Sequence, residues 1–183
     1  LQEQLKQRKS DQEEILLERI RDRAHADVYT KMLEDCEKII IAIGSAQEMN
    51  TTVNPFRYEY RRLMIQKVFP TYYDRIVIVG ITDRVNPSDD ESWGEYLLST
   101  IYKNTGVEPD VIYQGIEQKH CHWFDSFNIN IVDIDRDLIK VSATDIRKAL
   151  LENDIAFCNK FMPEALHSEF KNLKEVLENV SID

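Results

Sequence analysis

KIIIAIGSAQEMNTTVNPFRYEYRRLM, residues 38–64, is the stretch whose reading decides the fold. It opens on Ile39-Ile40-Ile41-Ala42-Ile43 and stops at Gly44-Ser45. A short β-branched run closed by a glycine reads as a strand buried on both faces of a parallel sheet. Ligands of open α/β sheets sit just past the carboxyl ends of such strands. Gly44, Ser45 and the residues after them are therefore placed where a small molecule would be held. A basic segment then begins at Asn54-Pro55-Phe56 and leads into a helix carrying Arg57, Arg61 and Arg62.

Working outward, residues 1–37 contain no Gly or Pro and read as helix, the first part charged and solvated. From His25 to Lys38 the pattern is amphipathic, with Val28, Met32, Leu33 and Cys36 on one side. Beyond the arginine-rich helix, Arg75 to Gly80 is a second buried strand, and ITDRVNPSDDESW is a loop rich in turn formers. Trp93 to Asn104 reads as a helix with Gly106 at its C-terminal cap. Pro109 to Tyr113 and Ile129 to Ile134 are further strands, and Glu117 to Phe127 between them reads as helical. Ser142 or Thr144 caps a helix through Leu151, and one or two more helices run on to Val180. This alternation predicts an α/β fold, a Rossmann-like parallel sheet flanked by helices with a small C-terminal helical subdomain. The expected division is a charged N-terminal helical segment, residues 1–24, and a domain over residues 25–183.

Composition narrows the functional classes. The 183 residues can bury a sizeable core, and no apolar run approaches the length of a membrane span. A net charge of −10 argues against a broad nucleic-acid footprint while leaving room for a local phosphate pocket. Cys36, Cys121 and Cys158 are too scattered for a disulfide framework, and no signal peptide is visible. A cytoplasmic protein that binds neither membrane nor nucleic acid is expected, with a homo-oligomer left open. The first residue is Leu1 rather than Met, as in a fragment, a processed product or an excised domain.

Chemistry concentrates in VSATDIR, Val141 to Arg147. A Ser/Thr-rich turn opening a helix presents backbone N–H groups and the positive end of the dipole, a ready phosphate site. Arg147 lies one turn beyond Thr144 and returns to the same mouth. An ordinary capped helix with a surface arginine would look the same. Arg61, taken by itself, reads as a surface helix residue in a basic patch with Arg57 and Arg62. Trp93, taken by itself, reads as a core or helix-start aromatic. His120-Cys121-His122 is a poor metal site, because adjacent residues do not converge on one ion, and no resident metal is expected. The acidic Asp89, Asp90 and Glu91 belong to a surface loop. No P-loop, dinucleotide fingerprint or nucleophile elbow occurs.

GSAQ, then Asn54-Pro55-Phe56 and Arg61, and later Ser142-x-Thr144-x-x-Arg147, resemble the nucleotidyltransferase superfamily, nearest the nicotinamide-nucleotide adenylyltransferases. The likeness runs from residue 25 to about residue 170. It implies that Ser142, Thr144 and Arg147 hold the triphosphate of ATP, with Arg61 and Arg147 adding charge at the reacting phosphates. It further implies that Gly44, Ser45, Asp83 and Asn86 receive nicotinamide mononucleotide, with Trp93 stacking on its pyridine ring. His25 aligns with the second histidine of the family's His-x-Gly-His motif; Asp22 stands where the first would be and Ala24 replaces the glycine. The implied activity is adenylyl transfer from ATP to the mononucleotide, forming NAD and pyrophosphate with Mg²⁺. Asp22 brings the wrong sign toward a triphosphate. Three readings of that departure stay open: lost activity in a kept fold, recruitment of Arg21 or Arg23 as the cation, or an altered segment before His25. The alternatives to the enzyme are a catalytically silent domain that binds nucleotide or a protein partner, and a cytidylyltransferase.

Overall fold

The computed structural model of the chain describes residues 13–17, 23–84, 90–135 and 141–180. Five strands, β1 (Glu13–Leu17), β2 (Lys38–Ile43), β3 (Ile76–Gly80), β4 (Val111–Gly115) and β5 (Asn130–Ile134), form one sheet in the order β3-β2-β1-β4-β5. Every neighbouring pair is parallel. The order reverses at β1, so the crevice for a ligand lies at the carboxyl ends of β1 and β4.

The strand alternation sorts the core into two layers. Ile39, Ile41 and Ile43 of β2, with Val111 and Tyr113 of β4, pack against Tyr29, Met32 and Leu33 of α1 (Arg23–Asp35) and Ile65 of α2 (Tyr58–Val68). Ile40 and Ala42, with Val79 and Ile112, pack on the opposite face against Leu97 and Ile101 of α3 (Asp90–Thr105). Both faces of β2 are thus buried, as its unbroken apolar run requires. A third cluster joins Met64 of α2 to α4 (Ala143–Glu152), α5 (Ile155–Phe161) and α6 (Phe170–Glu178) through Ile146, Leu150, Cys158 and Leu173. This is the C-terminal helical subdomain.

Two expectations are corrected. A helix over residues 1–37 is expected from composition, yet Glu13–Leu17 is a strand, the central one of the sheet. Its backbone pairs Ile15 with Ile40 on one side and Ile112 on the other. The position between β2 and β4 satisfies two rows of backbone groups, which outweighs the weak helical preference of EEILL. The expected N-terminal segment therefore supplies a strand to the domain; its residues 1–12 and 18–22 lie outside the described residues. Second, Glu117–Phe127 is not a helix. A 3₁₀ turn over Ile116–Cys121 ends at His122, which adopts φ 53°, a left-handed conformation that stops helical propagation. Gly106, at φ 73°, caps α3 as expected.

Among the described residues no helix is long and apolar enough to cross a membrane.

Candidate functional site

At the end of β2 the chain turns through Gly44 and Ser45, with Ser45 buried at φ 48°. This turn is laced to the end of β3: Ile81 N–H donates to the Ile43 carbonyl (2.8 Å) and Ala46 N–H to the Ile81 carbonyl (2.9 Å). Gly80 is tightly covered here. An added Cβ would lie 3.0 Å from Ala46 Cβ and 3.1 Å from the Tyr58 ring.

Arg61 holds the turn from the helix side. It is only 5% exposed, so the surface-helix reading is set aside. Nη1 donates to the Gly44 carbonyl and Nη2 to the Ser45 carbonyl, both at 2.8 Å. A planar fork of fixed geometry suits two adjacent carbonyls better than the single ammonium of a lysine. The Asn-Pro-Phe signature has a matching cause, since Asn54 is buried and donates to the Glu48 carboxylate while its N–H meets Thr51 Oγ1 at 2.8 Å.

Gln47, within GSAQ, clamps the neighbouring loop. Its Nε2 donates to Asp83 Oδ2 (2.9 Å) and its Oε1 accepts from Asp83 N–H (3.0 Å). Asp83 is thereby fixed beside the Gly44–Ser45 turn. The next wall is aromatic. Trp93, on the first turns of α3, lies 5.5 Å from Tyr96 and 6.4 Å edge-on from Trp123. Tyr96 hydroxyl donates to the Thr82 carbonyl (2.9 Å), and Arg84 sits over its ring at 5.5 Å. Trp93 is half-buried, a core contact on one side and partly open on the other. Asn86 lies outside the described residues.

The second half of the site opens α4. Ser142 and Asp145 form a reciprocal capping box: Asp145 N–H donates to Ser142 Oγ (3.2 Å) and Ser142 N–H to Asp145 Oδ2 (2.9 Å). The Ser142 hydroxyl also donates to that oxygen (2.6 Å), and these bonds hold the Asp145 carboxyl below its ordinary range. Arg147 curls back, Nη2 to Thr144 Oγ1 (3.1 Å) and Nη1 to the Val53 carbonyl (3.3 Å). Thr144 and Arg147 therefore do share one mouth, and Arg147 links it to the loop that follows the β2 turn.

A mostly apolar cleft of about 40 Å³ lies among α1, α2, α4 and the C-terminal helices, with Tyr29, Met64, Phe69, Leu150 and Met162 in its lining. Ala26 and Ala143, at the starts of α1 and α4, also line it. The His25 side chain lies outside the described residues, as do residues 18–22, Asp22 among them. No group of three His, Cys, Asp or Glu residues that could hold a metal ion gathers among the described residues.

The chain matches no family model. Over 43 residues, 24% of this chain and 24% of the relative, it is 46% identical to nicotinamide-nucleotide adenylyltransferase of Thermoplasma volcanium. Over 61 residues it is 34% identical to the enzyme of that name from Methanococcus vannielii, covering 33% of this chain and 36% of the relative. A bifunctional NMN adenylyltransferase/ADP ribose pyrophosphatase from Francisella tularensis superposes on 92% of the chain with a TM-score of 0.74 at 19% identity. NadR protein in complex with NAD and AMP-PNP superposes on 85% with a TM-score of 0.61 at 15% identity. The chain is related to the nicotinamide-nucleotide adenylyltransferases. The Francisella structure shares its Rossmann-like fold. The chain spans 52% of the Francisella protein and 45% of NadR, and the matched segments span a quarter to about a third of the two archaeal relatives.

Three contributors to this site lie beyond the residues singled out in the sequence. Gln47 stands within GSAQ, but only the fold shows that its amide reaches Asp83. Asp145 is visible in SATD as a capping-box residue three positions after Ser142, a signal that the pattern does carry. Tyr58 carries no sequence signal for its place against Gly80.

Proposed function

We propose that the chain transfers the adenylyl group of ATP to nicotinamide mononucleotide, forming NAD and pyrophosphate in the cytoplasm. One observation supports this most. The carboxyl edge of a single β3-β2-β1-β4-β5 sheet carries two receptor surfaces, the Gly44–Ser45 turn with Asp83 and Trp93, and the α4 mouth with Thr144 and Arg147. A mononucleotide and a triphosphate held at one edge have what in-line transfer needs.

In this reading a phosphate oxygen of the mononucleotide attacks the α-phosphorus of ATP. The new P–O bond forms as the bond from the α-phosphorus to the bridging oxygen breaks, and pyrophosphate leaves with that electron pair. Ser142, Thr144 and Arg147 hold the β- and γ-phosphates, with the first-turn N–H groups of α4 adding donors. Asp145 keeps the α4 turn shaped, and a phosphate approaching Ser142 has to compete with that carboxylate. His25 stabilises the transferring group. Arg61 commits one N–H of each terminal nitrogen to the turn and lends its charge to the same edge. Gly44, Ser45, Asp83 and Asn86 receive the mononucleotide, whose pyridinium ring meets the open side of Trp93. Mg²⁺ enters bound to ATP and neutralises part of the triphosphate charge.

The test is NAD formation from ATP, nicotinamide mononucleotide and Mg²⁺, with His25→Ala as control. Turnover that the variant loses supports the enzyme. A parent chain that binds ATP without turnover would replace this reading with a silent nucleotide-binding domain, the alternative that Asp22 at the place of the first motif histidine favours.

A further inference from the structure

α2 has two working faces. Tyr58, Arg61 and Ile65, at helical spacing, face the sheet: Tyr58 meets Gly80 and the Ile78 carbonyl (3.3 Å), and Arg61 holds the Gly44–Ser45 turn. Tyr60, Met64 and Lys67, also at helical spacing, face the C-terminal helices. Where α2 meets those helices lies Glu169, 9% exposed. Its carboxylate accepts from Tyr60 hydroxyl (3.0 Å), from Asn172 Nδ2 (3.0 Å) and from Lys67 Nζ.

Apolar packing alone would join these helices without burying a carboxylate, which is costly unless its bonds are used. What a carboxylate adds is direction. Tyr60 and Lys67 lie two turns apart on one face of α2, so gripping both fixes the roll of the helix about its axis. A roll of about ten degrees would move a side chain at the helix surface by roughly 1 Å, enough to break a hydrogen bond of ordinary length.

We propose that Glu169 is a positioning residue, setting through Tyr60 and Lys67 the aim of Arg61 at the turn that would receive the mononucleotide. The role in substrate binding rests on the adenylyl-transfer reading; the mechanical coupling does not. Glu169→Gln removes the charge, and Tyr60→Phe removes one hydroxyl and nothing else. Amide hydrogen exchange then reports on Ala46 and Ile81, whose N–H groups lace the turn, with β4 amides as the measure of global opening. In both variants exchange at Ala46 and Ile81 is expected to rise about tenfold. The KM for the mononucleotide should rise several-fold while that for ATP holds. Glu175→Gln, on the exposed face of α6, should change neither quantity. Exchange that rises only in β4 and the C-terminal helices would reduce Glu169 to packing and overturn the proposal. If the parent forms no NAD, the exchange result alone decides the coupling, and the failure belongs to the reaction.

Discussion

Replacing Arg61 by Met keeps the apolar stem of the side chain and removes the guanidinium with both donors to the β2 turn. The Ser45 carbonyl belongs to a buried residue, whereas Gly44 is half-buried, so water can repair the second loss better than the first. Leaving a buried acceptor unpaired costs about 1–3 kcal/mol, with the wetter one at the low end. Removing the charge returns some of the desolvation that burial of Arg61 required, which trims the sum. The net expectation is a loss of about 2–4 kcal/mol, or roughly 6–12 °C in Tm for a chain of this size. Arg61→Lys can serve one carbonyl and should cost about half as much. Urea denaturation read by circular dichroism gives the free energies, and a differential scan gives Tm. A Met variant within about 0.5 kcal/mol of the parent would refute the argument, because it would mean that the two 2.8 Å bonds bring no net stabilisation.

Gly94→Ala should cost more than its added methyl suggests, since the new Cβ would stand 1.9 Å from the Trp123 carbonyl oxygen. The 122–124 turn has to move off α3, and a loss of at least about 2 kcal/mol by denaturation is expected. Trp93→Ala should weaken mononucleotide binding about tenfold in calorimetry and leave ATP binding near its parent value; equal losses for both would count against stacking. Glu169 gives the pH signature. The hydrogen bond from Lys67, then that from Asn172, holds its pKa down to about 2 from an ordinary 4.5. A depressed carboxylate stabilises the fold fully above its unfolded value and loses that contribution as pH falls through its folded value. The urea midpoint of the parent should therefore converge on that of Glu169→Gln between about pH 4.5 and 2. Curves that stay parallel over that range would show that the carboxylate is not held in this way.

The parts of the fold written in local pattern were legible. Ile39–Ile43 has no polar interruption and is buried on both faces, and Ser142 sits where a capping box has to begin. β1 was not legible, because EEILL lies in a charged stretch without glycine, proline or aromatic residues. Its strand state comes from two partner strands far along the chain, a non-local cause that no window of sequence contains. The same holds at the site. Thr144 and Arg147 are one helical turn apart, so their meeting follows from periodicity alone. The Gln47–Asp83 pair and the burial of Arg61 depend on how β2, β3 and α2 pack, and a basic cluster in sequence looks the same whether one of its arginines points inward or out.

Inward placement of Arg61 matters most because of the charge carried by the rest of the chain. With a net charge of −10 the protein repels a triphosphate and a mononucleotide alike at long range. Attraction has to come from donors close enough to act inside a Debye length of about 8 Å, where directional bonds outweigh the mean field. The described mouth offers such donors in two forms: the first-turn N–H groups of α4, and the Arg147 fork steadied by the Val53 carbonyl. A fork already oriented by Val53 would lose little further freedom if a phosphate arrived, so each bond it made would contribute more to binding than one from a free surface arginine. Association would then slow as salt is lowered, and selectivity would reside in geometry, the property that the proposed coupling of α2 to Glu169 would protect.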